Sequence, residues 1–293
     1  MVLGSAICGK GGVKLCALTA GLVLLLAAPA AWSQGVSVAP GRIVLDGKTR
    51  AATVFLSNRS DQAETYRISL VYYLMEQDGT LVRQDSLASA APDFAGDVLR
   101  YSPRRVVIPA GGSQTVRLLV RRPRDRDVDG QEFRAHLSVC TIPTVPRLQE
   151  VEERLPEIDA ETQLIARPVA SVETLVPVIV RFGRPEATLA IAATEVAADG
   201  TLSFRLDRGG QRSLYGNLTV THRDPLGNET QLFYGRGIAV YTPNTGRDFT
   251  IEPPAAGCDL RRGTIVVDYV ETADGGGDLS AHVEFDPSQL SRR

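Results

Sequence analysis

After residue 34, the sequence alternates apolar and polar side chains over short stretches. The segments 51–62, 64–74 and 112–123 follow this period of two and are rich in β-branched and aromatic residues. Turn signals such as Asp78-Gly79 separate these segments, and the chain contains no sustained apolar pattern with the 3.6-residue period of a helix. The pattern therefore predicts an all-β chain built as sandwiches of short strands.

A glycine and a proline interrupt this pattern in RFGRPEA, residues 181–187. Roughly seven strands fit before this point and another seven after it, and about 260 residues are a comfortable length for two domains of ordinary size. We therefore expect one β-sandwich domain at residues 35–182 and a second at residues 183–293.

Residues 1–34 have the composition of a secretory signal peptide. Lys10 and Lys14 precede the apolar stretch LCALTAGLVLLLAA, which the small residues of APAAWSQ follow. The apolar stretch is shorter than the roughly 20 residues that a membrane-spanning helix needs. The sequence therefore predicts an exported, soluble protein that is cleaved between Ala30 and Gln34.

The composition gives little support to catalysis or to nucleic-acid binding. The formal net charge is −2, and the chain has no G-x-S-x-G, H-E-x-x-H or C-x-x-C motif. Cys140 and Cys258 are the cysteines that remain after the signal peptide. They could form a disulfide in an oxidising compartment, but they lie in different predicted domains, which favours two unpaired thiols. We predict no catalytic residue, no metal site and no cofactor.

Arginine supplies almost every fixed positive charge, because Lys48 is the only lysine after residue 34. Arg42 lies in APGRIVLDG, and Arg104 and Arg105 lie in LRYSPRRVVIP. A guanidinium group can bind a carboxylate through two parallel hydrogen bonds, so arginines at a cleft would suit a carboxylate site. The residues alone leave open a scatter of surface ion pairs, each worth about 0 to 1 kcal/mol.

Four motifs, taken in order, resemble those of a known family: GRIVLDG, YSPRRVVIPAGGSQTVRL, GQEFRAHLSVCTIP and VPVIVRFGRP. They are similar to the periplasmic chaperones that assemble pili by the chaperone-usher pathway, above all to the archaic branch. The resemblance implies two immunoglobulin-like β-sandwich domains arranged in an L. It also implies a non-enzymatic function, in which the chaperone lends a strand to a pilin subunit that lacks its last strand.

The resemblance implies as partners the pilin subunits and an outer-membrane usher, and as location the periplasm. We expect no nucleic acid, no membrane insertion and no small-molecule substrate. A secreted structural or adhesive immunoglobulin-like protein without chaperone activity is the alternative interpretation.

The lent strand would be the run ARPVASVETLVPVIVR, residues 166–181, which is largely apolar but contains Glu173 and Pro177. Its alternating side chains that would enter the subunit are Ala170, Val172, Thr174 and Val176. A shift of one residue would present Val169, Ser171, Glu173 and Leu175 instead. We favour the first set, because a glutamate in an apolar groove is costly unless it is paired.

The resemblance further implies two polar sites. Arg42 matches the arginine that binds the subunit's terminal carboxylate, but Pro177 stands where the family's second cation, a lysine, is expected. Arg104 is the first candidate to replace that lysine, and Arg105 is the second. A salt-bridge network between the domains is expected to join three residues: Glu132, Arg181 and Asp259.

Overall fold

A computed structural model describes residues 35–84, 91–143, 171–254 and 259–287. The predicted signal peptide, Ala170 and Cys258 lie outside the described residues. The elements within the described part of the chain are β-strands, numbered β1 to β18. No helix in that part is long and apolar enough to cross a membrane.

The first eleven strands form a sandwich of two sheets and a small hairpin. The first sheet has, in order, β1 (Val36–Ala39), β3 (Ala51–Asn58), β9 (Ser113–Val120) and β7 (Leu99–Ser102). The second sheet has, in order, β2 (Ile43–Leu45), β11 (Glu173–Arg181), β10 (Glu132–Ile142), β4 (Glu64–Val71) and β8 (Arg105–Ile108). The hairpin consists of β5 (Tyr73–Met75) and β6 (Leu81–Arg83).

Alternating apolar side chains from both sheets form the core of this first sandwich. In β3, for example, Val54 and Leu56 are fully buried, whereas Phe55 between them faces outward. Strand β10 is buried over most of its length, because it lies in the middle of its sheet and also faces the second sandwich. Apolar burial of this kind, at about 25 cal/mol per Å², is the main force that holds the two sheets together.

The remaining seven strands form a second sandwich with its own apolar core. One sheet has, in order, β12 (Ala187–Val196), β13 (Leu202–Gly210) and β16 (Gly246–Ile251). The other has, in order, β15 (Glu229–Val240), β14 (Leu214–Arg223), β17 (Thr264–Glu271) and β18 (Ser280–Phe285).

The predicted fold class of two immunoglobulin-like sandwiches is confirmed. Each sandwich packs two sheets face to face, and sequence-distant strands such as β4 and β10 lie side by side, as Greek-key connections require. The pairs within the sheets are antiparallel except for β2 with β11, which is parallel.

The first strand of the fold is divided between the two sheets of the first sandwich. β1 pairs with β3 in one sheet, and the chain then crosses over so that β2 pairs with β11 in the other. Because β2 is only three residues long, it covers only part of the nine-residue β11. This crossover determines where the candidate site lies.

Candidate functional site

The two sides of β11 differ in how much of the strand they cover. On one side, β10 pairs with β11 from Glu173 to Arg181. On the other side, β2 pairs only with Val178–Val180, and no other strand in the described part of the chain pairs with β11 there. Residues 173–177 therefore have a strand on one side only. We call the uncovered side of these residues the open edge.

The backbone groups that face the open edge follow from two hydrogen bonds at the ends of the β10–β11 pair. The amide of Phe182 donates to the carbonyl of Gln131 at 3.0 Å, and the amide of Thr141 donates to the carbonyl of Val172 at 3.0 Å. Because bonded positions alternate along an antiparallel pair, even-numbered residues of β11 direct their backbone groups to β10.

The odd-numbered residues Glu173, Leu175 and Pro177 then direct their backbone groups to the open edge. Glu173 and Leu175 each offer both an N–H and a carbonyl to an added strand. Pro177 has no N–H and offers only its carbonyl. The ladder that an added strand can form is thus complete at the start of β11 and incomplete at Pro177.

The side chains of β11 divide between its two faces. Val176, Val178 and Val180 pack in the core of the first sandwich. With a period of two, Val172 and Thr174 continue this row beyond the core, and Val172 is 44% exposed. These two residues are the described members of the predicted set that lie free of the core.

Val176 has a different environment from the one expected. It is only 2% exposed and packs within its own sandwich, since the core extends as far as this position. Val176 is therefore not available to a second chain. The row that an added chain can reach ends, on this side, at Thr174.

Glu173 lies on the opposite face of β11 from that row. Its carboxylate accepts hydrogen bonds from the hydroxyl of Ser138 on β10 and from Arg83 on β6, whose Nη1 lies 3.0 Å from Oε1. In the alternative register, Glu173 would face the apolar groove of the subunit. These contacts of its carboxylate would then have to break.

Arg42 lies next to the end of the open edge. It immediately precedes β2, and since Ile43 pairs with Val178, Arg42 continues the register beside Pro177. Its guanidinium carbon lies 3.8 Å from the ring centroid of Tyr215, and Nη1 donates to the hydroxyl of Tyr241 at 3.1 Å. The first sandwich thus places this cation against two tyrosines of the second.

The other two nitrogens of Arg42 are unsatisfied. Nε and Nη2 are buried and have no hydrogen-bond partner among the described residues. These two nitrogens form one side of the guanidinium fork, the geometry that binds both oxygens of a carboxylate. Because buried N–H groups without a hydrogen-bond acceptor are costly, these two nitrogens favour an anionic acceptor.

The structure does not bring Arg104 or Arg105 to Arg42. Arg105 begins β8, which is the opposite edge of the same sheet, and Arg104 directly precedes it. Four strand spacings of about 4.8 Å separate β8 from β2, or about 19 Å. Neither arginine can therefore share a carboxylate with Arg42. The expectation that one of them replaces the lysine is wrong, because the strand order separates them.

His136 is a residue at this position that sequence reasoning assigned no function. It lies on β10 directly opposite Pro177, is 3% exposed, and packs against Tyr73 with 5.0 Å between ring centroids. Burial, together with the charges of Arg134 and Arg42, lowers its pKa to about 4. The imidazole is therefore neutral at physiological pH and adds no second cation beside Arg42.

The expected salt-bridge network is present only in part. Oε2 of Glu132 lies 2.8 Å from Nε of Arg181, and Oε1 of Glu132 accepts the backbone N–H of Ser213 at 2.9 Å. Asp259 is not part of this group. It pairs instead with Arg261, 2.7 Å away, within its own loop. Ser213, through its backbone amide, takes the position in the second sandwich that Asp259 was expected to fill.

Arg134 is a second contact between the sandwiches that sequence reasoning missed. Its side chain is 1% exposed, and Nε donates to the carbonyl of Thr242 at 2.9 Å. Nη1 donates to the carbonyl of Tyr73 at 2.7 Å, and Asp93 lies 3.6 Å away. The sequence carried no signal for this contact, because Arg134 belongs to the polar row of the alternating run EFRAHLSV, a pattern that predicts exposure to solvent.

The described residues contain no group of three or more histidine, cysteine or acidic side chains that could hold a metal ion. Cys140 carries a free, half-buried thiol, 3.3 Å from the hydroxyl of Ser171. Cys258, the other predicted thiol, lies outside the described residues.

Comparison with known proteins gives structural matches only. No protein-family model matches the chain, and no curated protein sequence matches it. A chaperone-tip adhesion subunit complex from the archaic Csu pili of Acinetobacter baumannii has 14% identity and a TM-score of 0.44, covering 85% of this chain and 97% of the other.

Two further structures give similar values. For SafA pilin in complex with the SafB chaperone of Salmonella enterica, the identity is 17% and the TM-score 0.42, over 86% of this chain and 97% of the other. For the Pseudomonas aeruginosa CupB2 chaperone, the identity is 11% and the TM-score 0.43, over 85% and 100%. All three contain a protein named as a chaperone.

Proposed function

We propose that this protein is a non-enzymatic periplasmic chaperone of the chaperone-usher type. It binds a pilin-type subunit that lacks its last strand, stabilises it by lending β11, and delivers it to an outer-membrane usher. The observation that carries this proposal is the open edge, where an apolar strand of the chaperone's own sheet has one side uncovered. An uncovered strand of this kind is a template for a strand of another chain.

β2 provides a model for the direction of an added strand. An added strand would occupy the same side of β11 as β2, upstream of Ile43, and β2 runs parallel to β11. If the added strand runs in the same direction, its C-terminal end lies beside Arg42. Nε and Nη2 of Arg42 are unsatisfied but buried in the free protein, so the guanidinium has to turn toward the added strand to bind the terminal carboxylate of the subunit through two hydrogen bonds.

The apolar contribution comes from the row that includes Val172 and Thr174. Burial of one aliphatic side chain such as Val172 contributes about 1.5 to 3 kcal/mol by transfer alone. A few such side chains, together with main-chain hydrogen bonds and a charged anchor, suffice for micromolar binding at about −8 kcal/mol after the entropy lost on association.

The polar contacts between the sandwiches support the two-domain part of the proposal. Glu132, with both oxygens bonded, joins Arg181 at the end of β11 to the backbone of Ser213 in the second sandwich. We propose that residues 35–182 and 183–293 are the two domains and that this buried group fixes their geometry, with a small net effect on stability.

The proposal is tested by co-expressing the protein with a candidate subunit in the periplasm and isolating a soluble one-to-one complex. Val172→Asp should prevent the complex, because it puts a charge into the apolar row. Val107→Asp is the matched control, since Val107 is 61% exposed on β8, at the other edge of the sheet. That variant should form the complex as the unmodified protein does.

Two results would overturn the proposal. One is a complex that forms equally well with Val172→Asp and with Val107→Asp, since binding would then not use β11. The other is a protein that associates only with itself and keeps no subunit soluble, which is the behaviour of a structural or adhesive protein.

A further inference from the structure

The β5–β6 hairpin contacts both the second sandwich and the start of β11. The hairpin itself is small, with three paired positions from Tyr73–Arg83 to Met75–Leu81. A two-stranded hairpin of this size is marginal in isolation, so its position must depend on what it touches.

Three contacts hold the turn of the hairpin against the second sandwich. The side-chain amide of Asn244 donates to the carbonyl of Met75 at 2.7 Å, and the backbone amide of Asp248 donates to the carbonyl of Gln77 at 2.7 Å. The guanidinium of Arg247 lies directly over Gly79, so closely that a Cβ added at this glycine would displace it.

The end of the hairpin opposite its turn contacts the start of β11. Nη1 of Arg83 lies 3.0 Å and 3.2 Å from the two carboxylate oxygens of Glu173, at the beginning of the open edge. The hydroxyl of Ser138 on β10 donates to the same carboxylate. This is the part of β11 that has a strand on one side only, and a strand with one neighbour frays more readily than one with two.

We propose that the β5–β6 hairpin positions the start of β11 and that the second sandwich in turn holds the hairpin. Arg83, Glu173 and Asn244 are then positioning residues. By holding Glu173 to one face, they keep Val172 and Thr174 turned to the other. The use of this arrangement for binding a subunit rests on the proposed function, whereas the coupling between the second sandwich and β11 is a property of the free protein.

Hydrogen exchange of single amides in the uncomplexed protein tests the coupling. The reporter is the amide of Thr141, which donates to Val172 just beyond Glu173. The internal reference is the amide of Phe182, which donates to Gln131 at the other end of the same strand pair. The ratio of the exchange rate of the Thr141 amide to that of the Phe182 amide measures opening of the start of β11 alone.

We expect Glu173→Ala to raise this ratio about tenfold, because it removes the bonds to both Ser138 and Arg83. Arg83→Met should raise it about threefold, as expected for one half-exposed ion pair. Asn244→Ala lies in the second sandwich and should raise it about twofold. The double variant Arg83→Glu with Glu173→Arg should return the ratio toward that of the unmodified protein.

Arg223→Met is the matched control. It breaks an exposed pair with Glu229, 2.9 Å long, within the second sandwich and should leave the ratio unchanged. An Arg83→Met protein with an unchanged ratio, or an equal rise with Arg223→Met, overturns positioning by the hairpin. An unchanged ratio with Asn244→Ala overturns the link to the second sandwich.

Failure of this inference and failure of the proposed function give different results. If the variants change the ratio as expected but the protein keeps no subunit soluble, the coupling is supported and the proposed function is wrong. If a subunit is bound and Val172→Asp prevents this, but the ratio does not respond to Arg83→Met, only the positioning by the hairpin is wrong.

Discussion

The two halves of β11 belong to one strand but have opposite surroundings. Val178–Val180 lies between β10 and β2, and all three residues are buried. Among the described residues, the half from Glu173 to Pro177 has a strand, β10, on one side only, and its first residues are exposed or half-buried. One continuous apolar strand is thus a core strand of its own sandwich at one end and an edge strand at the other.

The difference comes from the crossover between β1 and β2 and not from β11 itself. Had the first strand stayed in the second sheet, it would have covered the whole length of β11. Because β2 begins only at Ile43, the cover begins only at Val178. Arg42 and Pro177 lie side by side at this boundary, so the end of the open edge is marked by a cation and by a missing backbone donor.

The largest difference between the two halves is expected in the free energy of unfolding when one valine in or next to each half is replaced by aspartate. Val178→Asp puts a charge into a fully buried site and should lower the free energy of unfolding by at least about 4 kcal/mol. Val172→Asp should change it by no more than about 0.5 kcal/mol, because Val172 is 44% exposed.

Urea unfolding of both variants, followed by the fluorescence of the tyrosines, measures this contrast. Equal losses of stability in the two variants would mean that Val172 is packed in the free protein as Val178 is. The open edge would then be covered in solution.

The all-β fold could be predicted from the sequence because the pattern of side chains is local. Alternation in segments such as 51–62 and 64–74 specifies which residues face the core, and glycine turns mark where strands end. The division of the first strand between two sheets could not be predicted, because pairing with β3 or with β11 depends on long-range contacts that leave no local pattern.

The candidate site could be predicted less well for the same reason. Arg42 is next to the open edge as its position before β2 requires, but the order of strands in the sheet separates Arg104 and Arg105 from it. Glu132 meets Arg181 because the two strands pair in register. Its other partner is the backbone amide of Ser213, and a backbone donor has no signature in a sequence.

The second prediction concerns the boundary between the two halves. In the complex, Arg42→Leu should weaken subunit binding by about 2 to 5 kcal/mol, because the terminal carboxylate would be left without its partner. In the free protein the same change should alter stability by less than about 1 kcal/mol. The lost stacking on Tyr215 is offset by removal of a cation with two unsatisfied nitrogens.

A subunit extended by three glycines provides the control, since the extension moves the carboxylate away from Arg42. Isothermal titration of both subunits with both proteins gives a double-mutant cycle. The extension should weaken binding to the unmodified protein and have little effect on binding to Arg42→Leu. Equal weakening in both proteins would show that Arg42 does not bind the carboxylate.

The third prediction uses His136, which lies opposite Pro177 at the same boundary. Its pKa is lowered to about 4 by burial and by the neighbouring arginines, from 6.5 in the unfolded chain. Between these two values the unfolded chain binds a proton that the folded protein does not. Stability contributed by the neutral imidazole is therefore complete above pH 6.5 and is lost as the pH falls toward 4, by up to about 1.4 kcal/mol per pH unit.

Urea unfolding at pH 7, 6 and 5 measures this slope. His136→Phe keeps the aromatic packing against Tyr73 and should be less dependent on pH over this range. A slope that is the same with and without His136 would contradict the lowered pKa.

The smallest effect is expected at Pro177 itself. Pro177→Ala gives the open edge one more N–H and should lower the stability of the free protein by about 0.4 to 1 kcal/mol, because the unfolded chain gains freedom. Subunit affinity should stay the same, since the carboxylate at Arg42 ends the added strand before the new donor finds a carbonyl. Calorimetric titration of the subunit with both proteins measures this affinity. Tighter binding to Pro177→Ala by about 1 kcal/mol would mean that the added strand extends past Pro177. The open edge would then reach further along β11 in the complex than it does in the free protein.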